Sequence, residues 1–204
     1  MDIVEFCNPK VRTDVIKKLE KDAVELREKG ENRPILMSFT TDPYQPIDEK
    51  EKLTRKAIKV FHDNNLKVSI LTKGGRRSER DFDLLAKNPL LSEYGTTLVF
   101  TDETWRKKIE PFAATTEERI NSLKKAHELG IFTYVSLEPV WFPEQSLELI
   151  DMTEEFVDLY KVGKLNYHSQ QSKVDWHQFL SDAKTKLESY NKKYYIKYDL
   201  KKFV

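Results

Sequence analysis

The sequence predicts an α/β architecture in which parallel strands alternate with helical crossovers, and three observations predict it. Short apolar runs of strand type recur along the chain, separated by longer stretches in which apolar residues return at helical spacing. The runs are nearly continuous, as in strands buried on both faces, and lack the alternation of a half-exposed sheet. Each run is followed by polar residues, at the end where parallel α/β folds bind their ligands.

The strand-type runs are Ile35 to Phe39 after Pro34, Lys67 to Leu71, Thr97 to Phe100 entered through Gly95, Ile131 to Leu137 after Gly130, Phe156 to Val162 ending at Gly163, and a short Tyr194 to Ile196. Helical period covers Val11 to Lys29, with Gly30 as its stop. It returns over Asp48 to Asn64, over a shorter Arg80 to Pro89, and over Leu147 to Glu155 and Trp176 to Tyr190. The helix over Thr116 to Leu129 carries Glu117 and Glu118 in its first turn, where the helix dipole favours negative charge. The chain opens on a helix, so the first strand is expected to present an open sheet edge, a liability in a parallel sheet. Either the first helix covers that edge or related proteins place a further strand there.

At 204 residues the length predicts a single domain over 1–204. Apolar residues at 39% can build a core, and charged residues at 34% imply a densely charged surface. The formal charge of +1 excludes a strongly basic footprint for nucleic acid. Lys73-Gly74-Gly75-Arg76-Arg77 remains as a candidate local basic patch. No run approaches the ~18 apolar residues of a membrane span, and the first residues do not read as a secretory leader. A cytoplasmic location is the expectation. Cys7 is the single cysteine, which excludes an internal disulfide and a multi-cysteine metal site. His62, His127, His168 and His177 show no metal-ligand spacing, and His62 and His127 read as surface residues of helices. Neither a P-loop nor a G-x-S-x-G elbow occurs.

The candidate site therefore lies just past the strands. Thr41 and Asp42 follow the first and can accept from an ammonium or hydroxyl group. Lys73 follows the second and offers a point charge for a carboxylate or phosphate, with Gly74 and Gly75 able to bring backbone close to a ligand. Thr101 follows the third, and Glu138, able to accept from a ribose or an amine, follows the fourth. These groups suit a zwitterion carrying both an amine and a carboxylate. The bland alternatives are a solvated loop lysine for Lys73 and a cap or salt-bridge role for Glu138.

Several separated motifs then carry a resemblance. Ser38-Phe39-Thr40-Thr41-Asp42-Pro43-Tyr44-Gln45-Pro46, followed by Lys52-Leu53-Thr54-Arg55, comes first. Ile70-Leu71-Thr72-Lys73 with Arg80-Asp81, then Glu110-Pro111 with Glu118-Arg119, continue it. Ser136-Leu137-Glu138-Pro139-Val140, Tyr160-Lys161-Val162-Gly163-Lys164 with Asn166-Tyr167, and Tyr195-Ile196-Lys197 complete it. In this order, from about Asn8 to the C-terminus, the sequence resembles the spore photoproduct lyase-like proteins of the radical SAM superfamily.

The resemblance implies a partial parallel (β/α) barrel of radical SAM type with the first strand and its cluster loop missing. It implies S-adenosylmethionine as cofactor beside a [4Fe–4S] cluster, which cleaves it to a 5′-deoxyadenosyl radical that abstracts hydrogen from substrate. Thr41, Asp42 and Lys73 would hold the methionyl amine and carboxylate. Thr101 falls at a cofactor-contacting position, and Glu138 is a further contact on strand-end geometry. The C-x-x-x-C-x-x-C loop of the family has no counterpart here, since Cys7 stands alone. The leading expectation is thus a truncated radical SAM core, an enzyme by family but inactive alone, with a second polypeptide as one source of the cysteines. The alternative is a non-catalytic remnant that binds a nucleotide-like ligand or a partner protein through its open sheet edge.

Overall fold

The computed structural model describes residues 9–37 and 40–203. Six strands form one sheet: β1 (Ile35–Met37), β2 (Val68–Thr72), β3 (Ser92–Thr97), β4 (Phe132–Val140), β5 (Leu159–Lys164) and β6 (Lys193–Ile196). Their spatial order is their chain order, and every neighbouring pair is parallel. Repeated strand–helix–strand crossovers of one hand produce this arrangement. Among the described residues β1 and β6 do not pair with each other, so the sheet is an open arc, a partial barrel.

The helices are α1 (Val15–Glu28), α2 (Pro46–Glu51), α3 (Leu53–Asp63), α4 (Phe82–Lys87), α5 (Glu103–Ile109), α6 (Thr116–Glu128), α7 (Pro143–Thr153), α8 (Trp176–Ser189) and α9 (Tyr198–Lys201). Alternate strand residues point to opposite faces of the sheet. Val68, Ile70, Tyr94, Val135, Leu137 and Val162 enter the continuous apolar core with Ile58, Leu85, Leu123 and Leu149 of the helices. The opposite, concave face carries Ser69, Gly95, Tyr134 and Lys161. α1 packs on α3, joined by Arg27 to Asn64 at 3.1 Å.

Several expected boundaries move: the first helix begins at Val15 and not Val11, and the fourth strand runs on to Val140. The third strand is Ser92–Thr97, ending where the reading over Thr97 to Phe100 began. Its concave residues are Glu93, Gly95 and Thr97, so no apolar run announces it. The fifth begins at Leu159, because Glu154–Phe156 is a turn of 3₁₀-helix. The helix expected over Asp48 to Asn64 breaks at Lys52, whose φ is 52°. The Asp48 carboxylate accepts from the backbone N–H groups of Leu53 (2.7 Å) and Thr54 (3.2 Å) and so caps α3. A 3₁₀-helix over Gly75–Asp81 precedes α4 where one short helix was expected. α7 starts at Pro143, four residues before the apolar period begins. The last two residues of the first strand-type run, Ser38 and Phe39, lie outside the described residues.

α6 begins at Thr116 as expected, and its cap is Thr115. Thr115 Oγ1 accepts from Glu118 N at 3.1 Å while Glu118 Oε2 accepts from Thr115 N at 3.2 Å, a reciprocal capping box. Replacing Thr115 by Ala is expected to cost about 1 kcal/mol. A denaturant titration of T115A against wild type reads it, and an unchanged midpoint would show the cap to be idle.

Candidate functional site

The motif residues after β1 build a braced loop. Asp42 Oδ1 accepts from Tyr44 N at 2.8 Å and from Thr72 Oγ1 at 2.7 Å, and Oδ2 accepts from Lys73 N at 2.6 Å. The carboxylate thus fastens the β1 loop to the end of β2. Thr54 Oγ1 donates to Pro43 O at 2.6 Å, and Arg77 Nε donates to Tyr44 O at 2.9 Å. Arg80 pairs with Asp48, and Arg55 spans Asp81 (3.1 Å) and Asp83 (2.7 Å). Thr54 and Arg77 therefore act directly on the shape of the loop, with Thr41 exposed at its surface.

Gly74 and Gly75 are buried against protein. A Cβ on Gly74 would meet Thr72 Oγ1 at 2.9 Å and Tyr44 Cβ at 3.0 Å, and one on Gly75, where φ is +53°, would meet Ala114 Cβ at 2.7 Å. Their small size serves packing against protein. The local basic patch also disperses, since Arg77 turns inward to Tyr44 and Lys73 pairs with Glu110.

Lys73 Nζ lies 2.6 Å from Glu110 Oε1, and the other Glu110 oxygen lies 2.9 Å from Arg119 Nη1. The Arg119 side chain is fully buried and donates to Thr97 O at 2.8 Å. Burial pulls its pKa down, and Glu110 acts in the opposite direction. Arg106 holds the Glu110 turn by donating to Glu110 O (3.1 Å) and Ala113 O (3.0 Å). A Lys73–Glu110–Arg119 chain of charge thus runs from the rim into the packing between β3 and α6. The sequence offered Glu110 and Arg119 as motif residues of the resemblance and not as site residues; their contact closes a nine-residue separation through tertiary packing.

Thr101 lies four residues past β3, and Glu138, expected just after the fourth strand, lies inside β4 because that strand continues to Val140; both have protein partners. Thr101 N donates to Gln145 Oε1 at 2.9 Å, and its hydroxyl donates to Glu148 Oε2 at 2.8 Å, both acceptors being on α7. Glu138 pairs with Lys197, which follows β6. β5 lies between them, and the pair passes over Gly163, where a Cβ would stand 2.4 Å from Glu138 Oε1. Tyr134 makes the same kind of crossing one strand over. Its ring lies on Gly95, and its hydroxyl donates to Ile70 O at 2.8 Å and accepts from Ser69 at 3.1 Å. Lys161 Nζ sits 3.7 Å from the centroid of that ring. Tyr134, Lys161 and Lys197 went unremarked as site residues; the spacing of two at Tyr134, Ser136 and Glu138 was the signal available.

A cavity of about 430 Å³ opens at the ends of β3, β4 and β5. Trp105, Trp141, Phe142 and His168 wall it, with Lys108 and Lys173 beside them. Trp141 and His168 are 4.6 Å apart between ring centres, and Trp105 and Phe142 5.1 Å. Its volume is within the usual range for small-molecule sites.

Of the remaining histidines read as surface groups, His127 is exposed, whereas His62 is half-buried between Asn88 (3.3 Å) and Ser92 (3.3 Å). Burial lowers its pKa. Cys7 lies outside the described residues. Among the described residues no helix is long and apolar enough to cross a membrane, and no three His, Cys, Asp or Glu side chains gather to hold a metal ion.

Residues 6–157 match the model of the radical SAM superfamily. Uncharacterized protein MJ0683 of Methanocaldococcus jannaschii is 36% identical over 133 residues, covering 65% of this chain and 50% of its own length. The chain thus spans half the length of that curated relative. Among solved structures, Streptococcus suis SuiB bound to S-adenosylmethionine superposes with a TM-score of 0.71 at 16% identity, over 94% of this chain and 45% of SuiB. SuiB bound to its precursor peptide SuiA gives 0.73 at 15% identity, over 93% and 44%. A spore photoproduct lyase variant gives 0.71 at 11% identity, over 90% and 66%. At these identities the superpositions establish the partial-barrel fold. With the family match covering most of the sequence, this chain belongs to the radical SAM superfamily.

Proposed function

We propose that the rim formed by the ends of β1 to β4 binds S-adenosylmethionine for radical chemistry, with Thr41, Asp42, Lys73, Thr101 and Glu138 as its contacts. The observation that carries this reading is the 2.6 Å bond from Lys73 N to Asp42. It sets the Thr41–Asp42 loop beside the Lys73 backbone at the ends of adjacent parallel strands, an arrangement that suits a zwitterionic tail.

Donor and acceptor counts support the fit. A lysine ammonium has three N–H donors, and a carboxylate offers about four lone pairs. Glu110 occupies one Lys73 donor, which leaves two for a ligand carboxylate. Asp42 accepts three bonds, which leaves one lone pair for a ligand ammonium. The aromatic cavity at the ends of β3 to β5 offers rings on which a planar base stacks.

A [4Fe–4S] cluster does not fit the residues present. Leaving one iron open for the cofactor takes three thiolates, and the sequence has Cys7 alone. In this reading a polypeptide outside these 204 residues supplies them. The bound cofactor would supply a hydrogen-abstracting radical; the residues described here bind and orient it.

Equilibrium dialysis of the purified chain with S-adenosylmethionine tests the site without any cluster. Saturable binding is expected, weakened about tenfold or more in K73M, since a hydrogen bond to a charged group carries that much. Saturation with equal affinity in wild type and K73M, or its absence in wild type, would remove the assignment.

A further inference from the structure

Strand register places four rows of side chains on the concave face. Leu71, Gly95, Tyr134 and Leu159 share a row; Thr97, Ser136, Lys161 and Tyr195 form the next toward the rim. Glu138, Gly163 and Lys197 make the row at the rim itself, and Ser69, Glu93 and Phe132 the one farthest from it. Lys161 is the odd member. Its ammonium lies over the Tyr134 ring and forms no ion pair within 4.0 Å among the described residues. The neighbouring charges are already arranged: Lys197 is held by Glu138, and Glu93 lies two rows away. Burial pulls the Lys161 pKa down; Lys197 acts with it and Glu93 against it. A half-buried ammonium without a direct counter-charge carries an uncompensated desolvation cost. The face before it is reachable, since Tyr195 in the same row is 50% exposed.

We propose that Lys161, assisted by Lys197 just past the adjacent strand, is an anion subsite on the concave face that receives a carboxylate or phosphate group of the substrate. The anion takes the place that no protein carboxylate fills, in the row next to the rim where the cofactor would bind. Glu138 limits the subsite on that side by holding Lys197, and a ligand anion has to share Lys197 with it. Placing this anion on a substrate rests on the cofactor reading above, while the ammonium geometry does not.

The test uses the purified chain and two simple probes, inorganic pyrophosphate and malonate, titrated by calorimetry without cofactor. Saturable binding of one of them is expected, and which probe binds tells phosphate from carboxylate. K161M is expected to weaken it about tenfold or more. K161R, which keeps the charge, should restore most of the affinity, and K184M on the outer helix α8 should leave it within about twofold. Failure of both probes to saturate, or equal weakening by K161M and K184M, overturns the subsite. Loss in K161R as well as K161M, with folding intact by circular dichroism, also overturns it as a charge site. S-adenosylmethionine binding in K161M remains as in wild type if the two sites are separate, so either assignment can fail alone.

Discussion

Replacing Glu110 by Ala is expected to destabilise the chain by roughly 3–5 kcal/mol, the cost of removing one partner from a buried pair. The physical reason is Arg119, whose side chain is fully buried and whose main carboxylate partner is Glu110 at 2.9 Å. Without it the guanidinium keeps one bond to Thr97 O, while Nε and Nη2 already lack partners among the described residues. The same change frees the Lys73 ammonium from its 2.6 Å contact. Chemical denaturation of wild type and E110A measures the loss. The double variant E110A/R119M should recover part of it, because the orphaned charge goes as well. A loss below about 1 kcal/mol would mean that Arg119 is solvated and that its burial contributes nothing to the network.

The second large effect is expected at Gly95. An added Cβ would lie 2.4 Å from Tyr134 Cζ and 2.5 Å from Cε2, well inside van der Waals contact. In G95A the ring has to lift, and its bonds to Ile70 O (2.8 Å) and Ser69 (3.1 Å) open. Overpacking of this kind costs roughly 1–3 kcal/mol, and each opened buried bond adds about 1 kcal/mol. The sign of the coupling is the sharper check. Y134A should cost less in the G95A background than in wild type, because the overlap has then been removed. Additive costs would show that the ring and the glycine do not meet.

Both predictions concern residues whose identity was plain in the sequence and whose task was not. Gly95 read as the entrance to a strand; it is the saddle over which Tyr134 reaches from β4 to β2. Gly163 read as the stop of a strand; it is the saddle under Glu138 and Lys197. Crossing a strand on one face requires that the strand between have no side chain there, and only register tells which residue that is. Lys161, Lys197 and Glu138 are far apart along the chain and meet only across three strands.

Some of the site was legible in order along the chain. Thr41, Asp42, Lys73 and Thr101 follow strands, Glu138 lies inside β4 two residues before its end, and parallel pairing sets the ends of β1 to β4 along one rim. What each does there was not legible. Asp42 spends most of its acceptors on backbone and Thr72, and Lys73 shares its charge with Glu110. These are contacts made by loops, whose course depends on the elements they join.

By itself the sequence determined the fold class, the alternation of strand and helix and the direction of the strands. Those properties follow from hydrophobic period and local stop signals, which act over a few residues. Tertiary structure alone decided which polar groups are spent inside the protein and which are left for a ligand. That partition depends on distances between strands and loops brought together by packing, and a buried charge takes whatever counter-charge the fold sets beside it.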